Sequence, residues 1–336
     1  MKTKIICTLG PSSFKSTVLK NLKKIGVNIF RINMSHTPIR DLKKLIIYLK
    51  KNNIKNICID TEGAQIRTTK VKKKIYLKKN RKIKISNLNY FSSSKEINFY
   101  PKINLNEFKK NSLIYIGFDN LVLKIKKKFN NKNYLLAEVV NPGSLESNKG
   151  VHTNSRISLN PLTDKDIKAI KIGLKYKIKH YAMSFVNKGD DVYNLRKLLN
   201  NNSVIISKIE TLNALKNLSN ISKESNALLI DRGDLSRYIS IDKIPAIQEG
   251  IANLARKKKV PLYVATNLLE TMINESNPTR AESHDIYSTL NQGVQGLVLA
   301  AETAIGIDPV ECVRFLRKCI NNVGKKKISQ LQKIIR

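Results

Sequence analysis

Residues 203–234 read SVIISKIETLNALKNLSNISKESNALLIDRGD. Two short apolar runs, 203–210 and 227–232, flank residues 211–219, whose apolar positions recur at helical spacing. The runs are nearly continuous rather than alternating, as expected of parallel strands buried on both faces. A strand, a helix and a second strand running the same way make the unit from which α/β folds repeat.

The same unit recurs on both sides. Further strands are predicted at 4–9, 28–33, 56–61, 180–185, 261–266 and 296–302. Helices are predicted at 15–25, 39–52, 163–176, 189–200, 243–258, 281–292 and 308–322. The last opens with Asp308 as N-cap and Pro309 in the first turn. Eight strands, each followed by a helix, give the count of a closed (β/α)8 TIM barrel, with an open doubly wound sheet as the alternative.

One region breaks the rhythm. Residues 68–158 carry short runs (KKKIYL, KIKIS, SLIYIG, LVLKIK, YLLAEVV) separated by Asn, Ser, Gly and Lys, with no helical pattern. This predicts a small all-β domain inserted after the third strand, a lid on the face where barrel active sites are built. Its position favours a lid that excludes water during reaction over the alternative, a passive insertion in a tolerant loop. The barrel is then assigned to 1–67 and 159–322, with 323–336 a short basic tail.

Composition narrows the function. With 41% hydrophobic residues the chain is no disordered polycation, despite 62 Lys+Arg against 25 Asp+Glu and a net charge of +37. That charge suggests nucleic acid. It is spread along the chain and dominated by lysine, however, which favours a solvated surface. Cys7, Cys58, Cys312 and Cys319 form no CxxC pair, and four scattered histidines give no zinc spacing. No signal peptide or membrane span is visible, so the expectation is a reduced, soluble, cytoplasmic protein.

The strand ends carry the chemistry. Lys208 and Glu210 are two apart on one strand and share a face. Asp234 follows the next strand, so Glu210 and Asp234 suit one hard divalent cation such as Mg2+ or Mn2+. Arg31, Asn33, Ser35, His36, Asp60, Thr61, Glu62, Arg67, Ser184, Thr266, Glu302 and Thr303 gather at the same rim. Cations, hydroxyls and metal-binding carboxylates suit phosphoryl transfer, which is mostly positioning and charge stabilisation. There is no GxxxxGK[ST] loop and no G-x-S-x-G elbow.

Taken in order, TKIICTLGPSS (3–13), NIFRINMSH (28–36), IDTEGAQIRT (59–68), AMSFVNK (182–188), IISKIET (205–211), DRGDL (231–235), YVATNLLETMINESNPTRAE (263–282) and AAETAIG (300–306) closely resemble the pyruvate kinase family. The resemblance implies a (β/α)8 barrel with a β lid. It also implies phosphoryl transfer from phosphoenolpyruvate to ADP, giving pyruvate and ATP. By the same resemblance, Glu210 and Asp234 hold Mg2+, and Lys208 stabilises charge on the phosphoryl group. Arg31 contacts the phosphate. Backbone N–H groups of Arg232, Gly233 and Asp234 receive the substrate carboxylate, Ser184 lines the substrate site, and Thr266 lies beside the carbon to be protonated. Asn33, Ser35, Asp60 and Thr61 match a K+ site. Pro11, His36, Lys149 and Asp119 match the nucleotide site.

The sequence departs from the family at several points. Phe118-Asp119-Asn120 replaces Asp-Asp-Gly, and Gln65 is neither the Glu nor the Lys that in the family goes with needing or not needing K+. Ala301 replaces a serine near Thr266. Asp231 replaces an alanine beside the substrate carboxylate: ionised and facing inward it repels substrate, whereas beside Arg232 it pairs outward. The family's usual C-terminal effector domain has no counterpart in the sequence, so effector regulation is not expected and any homo-oligomer has an altered interface. The alternatives are a Mg2+-dependent aldolase or lyase acting on pyruvate, and a degenerate barrel binding nucleic acid. The nucleotide-side residues oppose the first, and the absence of a basic-aromatic repeat opposes the second.

Overall fold

A computed structural model describes residues 3–117, 121–129, 133–155 and 157–323. Eight parallel strands close into a barrel: β1 (Lys4–Thr8), β2 (Ile29–Asn33), β3 (Ile57–Asp60), β4 (His180–Met183), β5 (Val204–Ile209), β6 (Ala227–Asp231), β7 (Leu262–Ala265) and β8 (Gly296–Leu299). Each strand pairs with its sequence neighbours, and β8 closes on β1 through Lys4↔Gly296 to Cys7↔Leu299. The open-sheet alternative is thereby excluded.

Both faces of the strands are buried, which explains their unbroken apolar runs. The inner face carries Ile6, Ile29, Cys58, Ala182, Ile206, Ala227, Leu229, Tyr263, Ala265 and Val298, packed as one cluster. The outer face meets amphipathic helices. Helix Ser16–Ile25 buries Leu19 and Leu22, and helix Ile39–Lys51 buries Leu42, Ile46 and Leu49. Lysines occupy the solvent sides of these helices, and this accounts for part of the net charge.

Helix ends follow local chemistry. Asp308 Oδ1 accepts from the N–H groups of Val310 and Glu311, both at 3.0 Å, capping helix Pro309–Val323. Thr279 and Glu282 form a reciprocal capping box at helix Arg280–Asn291. The helix predicted at 211–219 is instead two segments, Leu212–Lys216 and Leu218–Glu224, broken at Asn217. There Asn217 Nδ2 donates to the Asn187 carbonyl at 2.9 Å, and the second segment buries Leu218 and Ile221.

The chain divides into two compact units, 1–63 with 164–336 and the inserted 64–163. Among its described residues the insertion is all-β apart from a 3-10 turn at Leu105–Glu107. Its main sheet closes in the order 113–116, 121–128, 134–141, 82–86, 96–100, 66–68 and 150–153. Strands 66–68, 96–100 and 150–153 were not among the runs legible in the sequence. The core of this unit includes Ile83, Ile85, Phe99, Phe108, Leu123 and Val139. Among the described residues no helix is long and apolar enough to cross a membrane.

Candidate active site

The period of two that builds the inner face also builds the site. Two residues beyond Ile6, Ile29, Cys58, Ala182, Ile206 and Leu229 come Thr8, Arg31, Asp60, Ser184, Lys208 and Asp231. All six are buried. An apolar ring therefore gives way to a polar ring at the C-terminal ends of the strands.

Lys208 sits at the centre. Its Nζ lies 2.8 Å from Glu210 Oε1, 3.4 Å from Asp231 Oδ2 and 3.7 Å from Asp60 Oδ2, and it donates to Ser184 Oγ at 3.2 Å. Burial opposes the charge on this ammonium, but Asp60, Glu210 and Asp231 together outweigh it and hold the lysine protonated well above its ordinary value. Burial acts the other way on Glu210, raising its carboxyl to about 8 against the pull of Lys208, with Asp234 and Asp231 adding to the rise. For Asp231 burial also disfavours charge, yet Lys208 and the Thr266 hydroxyl prevail and keep it below the usual carboxylate range.

Arg31 completes the second cation. Its Nε donates to Thr8 Oγ1 at 2.9 Å, and Nη1 lies 3.5 Å from Asp60 Oδ2. Both Nη1 and Oδ2 are buried with ion pairs as their only partners among the described residues, and Glu210 Oε1 is buried against the Lys208 ammonium. Unsatisfied buried polar atoms are rare and costly. Arg31 Nη1 and Asp60 Oδ2, without hydrogen bonds in one ring, mark a place built for polar ligands. The other oxygen of Glu210 accepts from the Phe185 N–H at 2.6 Å, which aims the carboxylate. Among the described residues, Glu210, Asp231 and Asp234 bring ligand oxygens within 4.8 Å of one another, an all-oxygen set suited to a hard divalent ion.

The β3 end is fixed from behind. Asp166, fully buried, accepts from the N–H groups of Glu62 at 2.8 Å and Gly63 at 3.1 Å. Gly63 has φ +68°, and a Cβ there would stand 2.6 Å from the Ser184 carbonyl. Thr61 Oγ1 accepts from the Ser184 N–H at 3.0 Å, tying β3 to β4. Lys165 bonds the Met34 carbonyl and pairs with Glu62 at 3.1 Å. Asp166 and Lys165 escaped the sequence reading because nothing local distinguishes them from other charges in a first helical turn.

Asp231 corrects one expectation. It does not pair outward with Arg232. The guanidinium of Arg232 instead pairs with Asp285 through contacts of 2.9 and 2.8 Å, and donates to the carbonyls of Thr266 and Asn267. Asp231 faces inward, its Oδ1 accepting from Thr266 Oγ1 at 2.6 Å. The signal was present in the sequence: Asp231 lies two residues beyond the inward-facing Leu229. Thr266, just past β7, adopts φ +77°. Its methyl would stand 2.8 Å from a Cβ at position 233, so Gly233 gives it room.

The remaining predicted residues fall as follows. Asp234 is half-buried, with Oδ1 3.2 Å from Arg237 Nε. Asn33 ends β2 beside Asp60, and its Oδ1 accepts from the Ser35 N–H at 2.9 Å. Pro11 and His36 are exposed, following β1 and β2 respectively. Lys149 belongs to the inserted unit, where it pairs with Glu146 at 3.2 Å, and Arg67 lies on that unit's strand Ile66–Thr68. Asp119 lies outside the described residues. Glu302 is structural, accepting from the N–H groups of Ala300 and Leu269, and Thr303 Oγ1 donates to the Thr8 carbonyl.

Known proteins share this arrangement of sequence. The family model described as pyruvate kinase, barrel domain, matches residues 1–313. A pyruvate kinase of Thermotoga maritima is 32% identical over 340 residues, covering 96% of this chain and 71% of its own length. One from Staphylococcus haemolyticus is 30% identical, covering 94% of this chain and 56% of its own length. The plastidial pyruvate kinase 2 of Arabidopsis thaliana is 32% identical, covering 92% and 55%. The chain thus spans little more than half the length of the latter two. With a barrel closed strand by strand and a family match running through all eight strands, the chain belongs to the pyruvate kinase family.

Proposed function

We propose that this chain transfers the phosphoryl group of phosphoenolpyruvate to ADP, giving pyruvate and ATP. The observation that carries this reading is the Lys208 ammonium, buried and held charged among Asp60, Glu210, Asp231 and Ser184. A fixed cation of this kind stabilises the negative charge spread over a phosphoryl group in flight without reorganising during the step. Arg31, oriented by Thr8 and Asp60, is the second positive partner for that group. The backbone N–H groups of Arg232, Gly233 and Asp234 open a short helical turn after β6, and they are assigned to the substrate carboxylate. Thr266 lies beside the carbon that takes up a proton, and Pro11 and His36 are assigned to the nucleotide.

Glu210 and Asp234 are the residues that would hold Mg2+ or Mn2+. The close approach of Glu210 and Asp234 oxygens, within 4.8 Å, supports this assignment. A divalent ion there supplies charge neutralisation for an anionic substrate. Asn33, Ser35, Asp60 and Thr61 are assigned to K+, and the unsatisfied Asp60 Oδ2 fits a cation at that position. Four unpaired cysteines favour a reducing compartment, in keeping with the cytoplasm.

The test is pyruvate formation from phosphoenolpyruvate and ADP by purified protein with Mg2+, with and without K+, beside Lys208→Met. ADP-dependent pyruvate in the wild type, abolished in the variant, is the expected result. Equal rates in the two proteins under every ion condition would sink the proposal.

A further inference from the structure

The carboxylate of Asp231 is the feature that the proposed function leaves unexplained. It stands in the inner ring beside Lys208, next to the residues assigned to the divalent ion. We propose that Asp231 is a third protein ligand of that ion, making the site a three-carboxylate site that loads metal before substrate arrives. This inference rests on the reading of Glu210 and Asp234 as metal ligands.

The geometry supports it in three ways. First, the oxygens of Glu210, Asp231 and Asp234 lie within 4.8 Å of one another. Neighbouring ligands on a six-coordinate Mg2+ stand about 3 Å apart and opposite ones about 4.2 Å, so the three oxygens must draw in by up to about 2 Å, a closure that a dication favours by cancelling their mutual repulsion. Second, Glu210 is fully buried and its orientation is fixed, Oε2 accepting from the Phe185 N–H and Oε1 lying 2.8 Å from the Lys208 ammonium that also stands 3.4 Å from Asp231, so the two carboxylates converge on one point. Third, the known partners of Asp231 leave it ligating capacity. Thr266 takes one lone pair of Oδ1, and Lys208 stands 3.4 Å from Oδ2. Each carboxylate oxygen has two lone pairs.

The charge count gives the consequence. Two carboxylates bind a hard dication moderately, and they leave the substrate's own oxygens to complete its coordination. A third raises affinity in the absence of substrate and removes one water from the ion. The substrate then meets a partly neutralised ion and an extra carboxylate. Tight metal binding is gained and substrate binding is weakened.

Mn2+ alone is the probe, added to the full chain without phosphoenolpyruvate or nucleotide. Water-proton relaxation of bound Mn2+ counts its waters, and electron paramagnetic resonance gives its dissociation constant. A six-coordinate ion held by three protein oxygens keeps about three waters in the wild type and about four in Asp231→Ala. The dissociation constant should rise at least about tenfold in that variant.

Loss of charge near the ion would weaken binding even without a bond, so the water count decides. Four waters in the wild type, or equal counts in wild type and Asp231→Ala, overturn the inference. The wild-type count alone suffices if the alanine variant does not fold. Pyruvate formation in the same preparations separates the two readings. Activity with four waters removes only the third ligand, while three waters without ADP-dependent pyruvate leaves the metal site and removes the proposed function.

Discussion

Asp231 Oδ1 and Thr266 Oγ1 are 2.6 Å apart, so the last residue of β6 accepts a hydrogen bond from the residue that follows β7. The Thr266 backbone is held from the other side, its carbonyl accepting from Arg232 at 3.0 and 2.7 Å. Thr266 is thus fixed through both its side chain and its main chain in a positive-φ conformation that a β-branched residue rarely adopts.

Thr266→Val keeps the shape and removes the hydroxyl. Asp231 then loses its hydrogen-bond donor in a buried setting, at a cost of about 1–3 kcal/mol. Urea unfolding should register that loss. Thr266→Ser, which keeps the hydroxyl, should recover most of it, and recovery by Ser no better than by Val would refute a hydrogen-bond origin.

Lys208→Met leaves Asp60, Glu210 and Asp231 buried without their shared counter-ion. Breaking a buried pair from one side costs about 3–5 kcal/mol. Glu210 and Asp231 of the variant, buried and no longer facing the ammonium, then hold protons more tightly folded than unfolded. The deficit should therefore be small at pH 4–5, the ordinary titration range of roughly 3.9–4.3 for Asp and Glu, and should widen as pH rises above it. Chemical denaturation at pH 5 and pH 8 checks the sign.

Burial raises the Glu210 carboxyl to about 8 in the metal-free protein. Metal binds only the ionised form, so Mn2+ must displace a proton below that pH. Affinity should climb with pH up to about 8 and level off above it. Calorimetry at pH 7 in two buffers of different ionisation heat should show close to one proton released per ion. A pH-independent affinity between 6 and 8 would contradict the assignment.

Gly63→Ala places a Cβ 2.6 Å from the Ser184 carbonyl at φ +68°. Steric conflict with backbone cannot be relieved by a rotamer change, so β3 and β4 must move apart where Asp60 and Ser184 meet. More than about 1 kcal/mol of stability should be lost, with pyruvate formation falling as well. Gly250→Ala is the matched control, because a Cβ at that helical position meets nothing within 4 Å. It should stabilise the protein by about 0.5–1 kcal/mol, measured by the same unfolding transition.

Much of the site was legible in the sequence because β structure has a fixed period. Lys208 and Glu210 on one face, and Arg31 and Asp60 on the adjacent strands β2 and β3, follow from counting residues by two. The strand count gave the barrel its eight members because buried parallel strands are written as unbroken apolar runs. The insertion was harder to read. Its strands at 66–68, 96–100 and 150–153 are short, and they pair with residues distant in sequence. Their local composition therefore carries little of their stabilisation.

The sequence by itself determined the barrel, the polar ring at its strand ends and the family to which the chain belongs. Tertiary structure alone decided who meets whom within that ring. It turned Arg232 to Asp285 rather than Asp231, set Asp231 between Lys208 and Thr266, and brought Glu210 Oε1 against the Lys208 ammonium. The reason is physical: a period of two says which face a side chain occupies. Closure of eight staggered strands sets the distances of a few ångströms across the ring, and those distances govern charge.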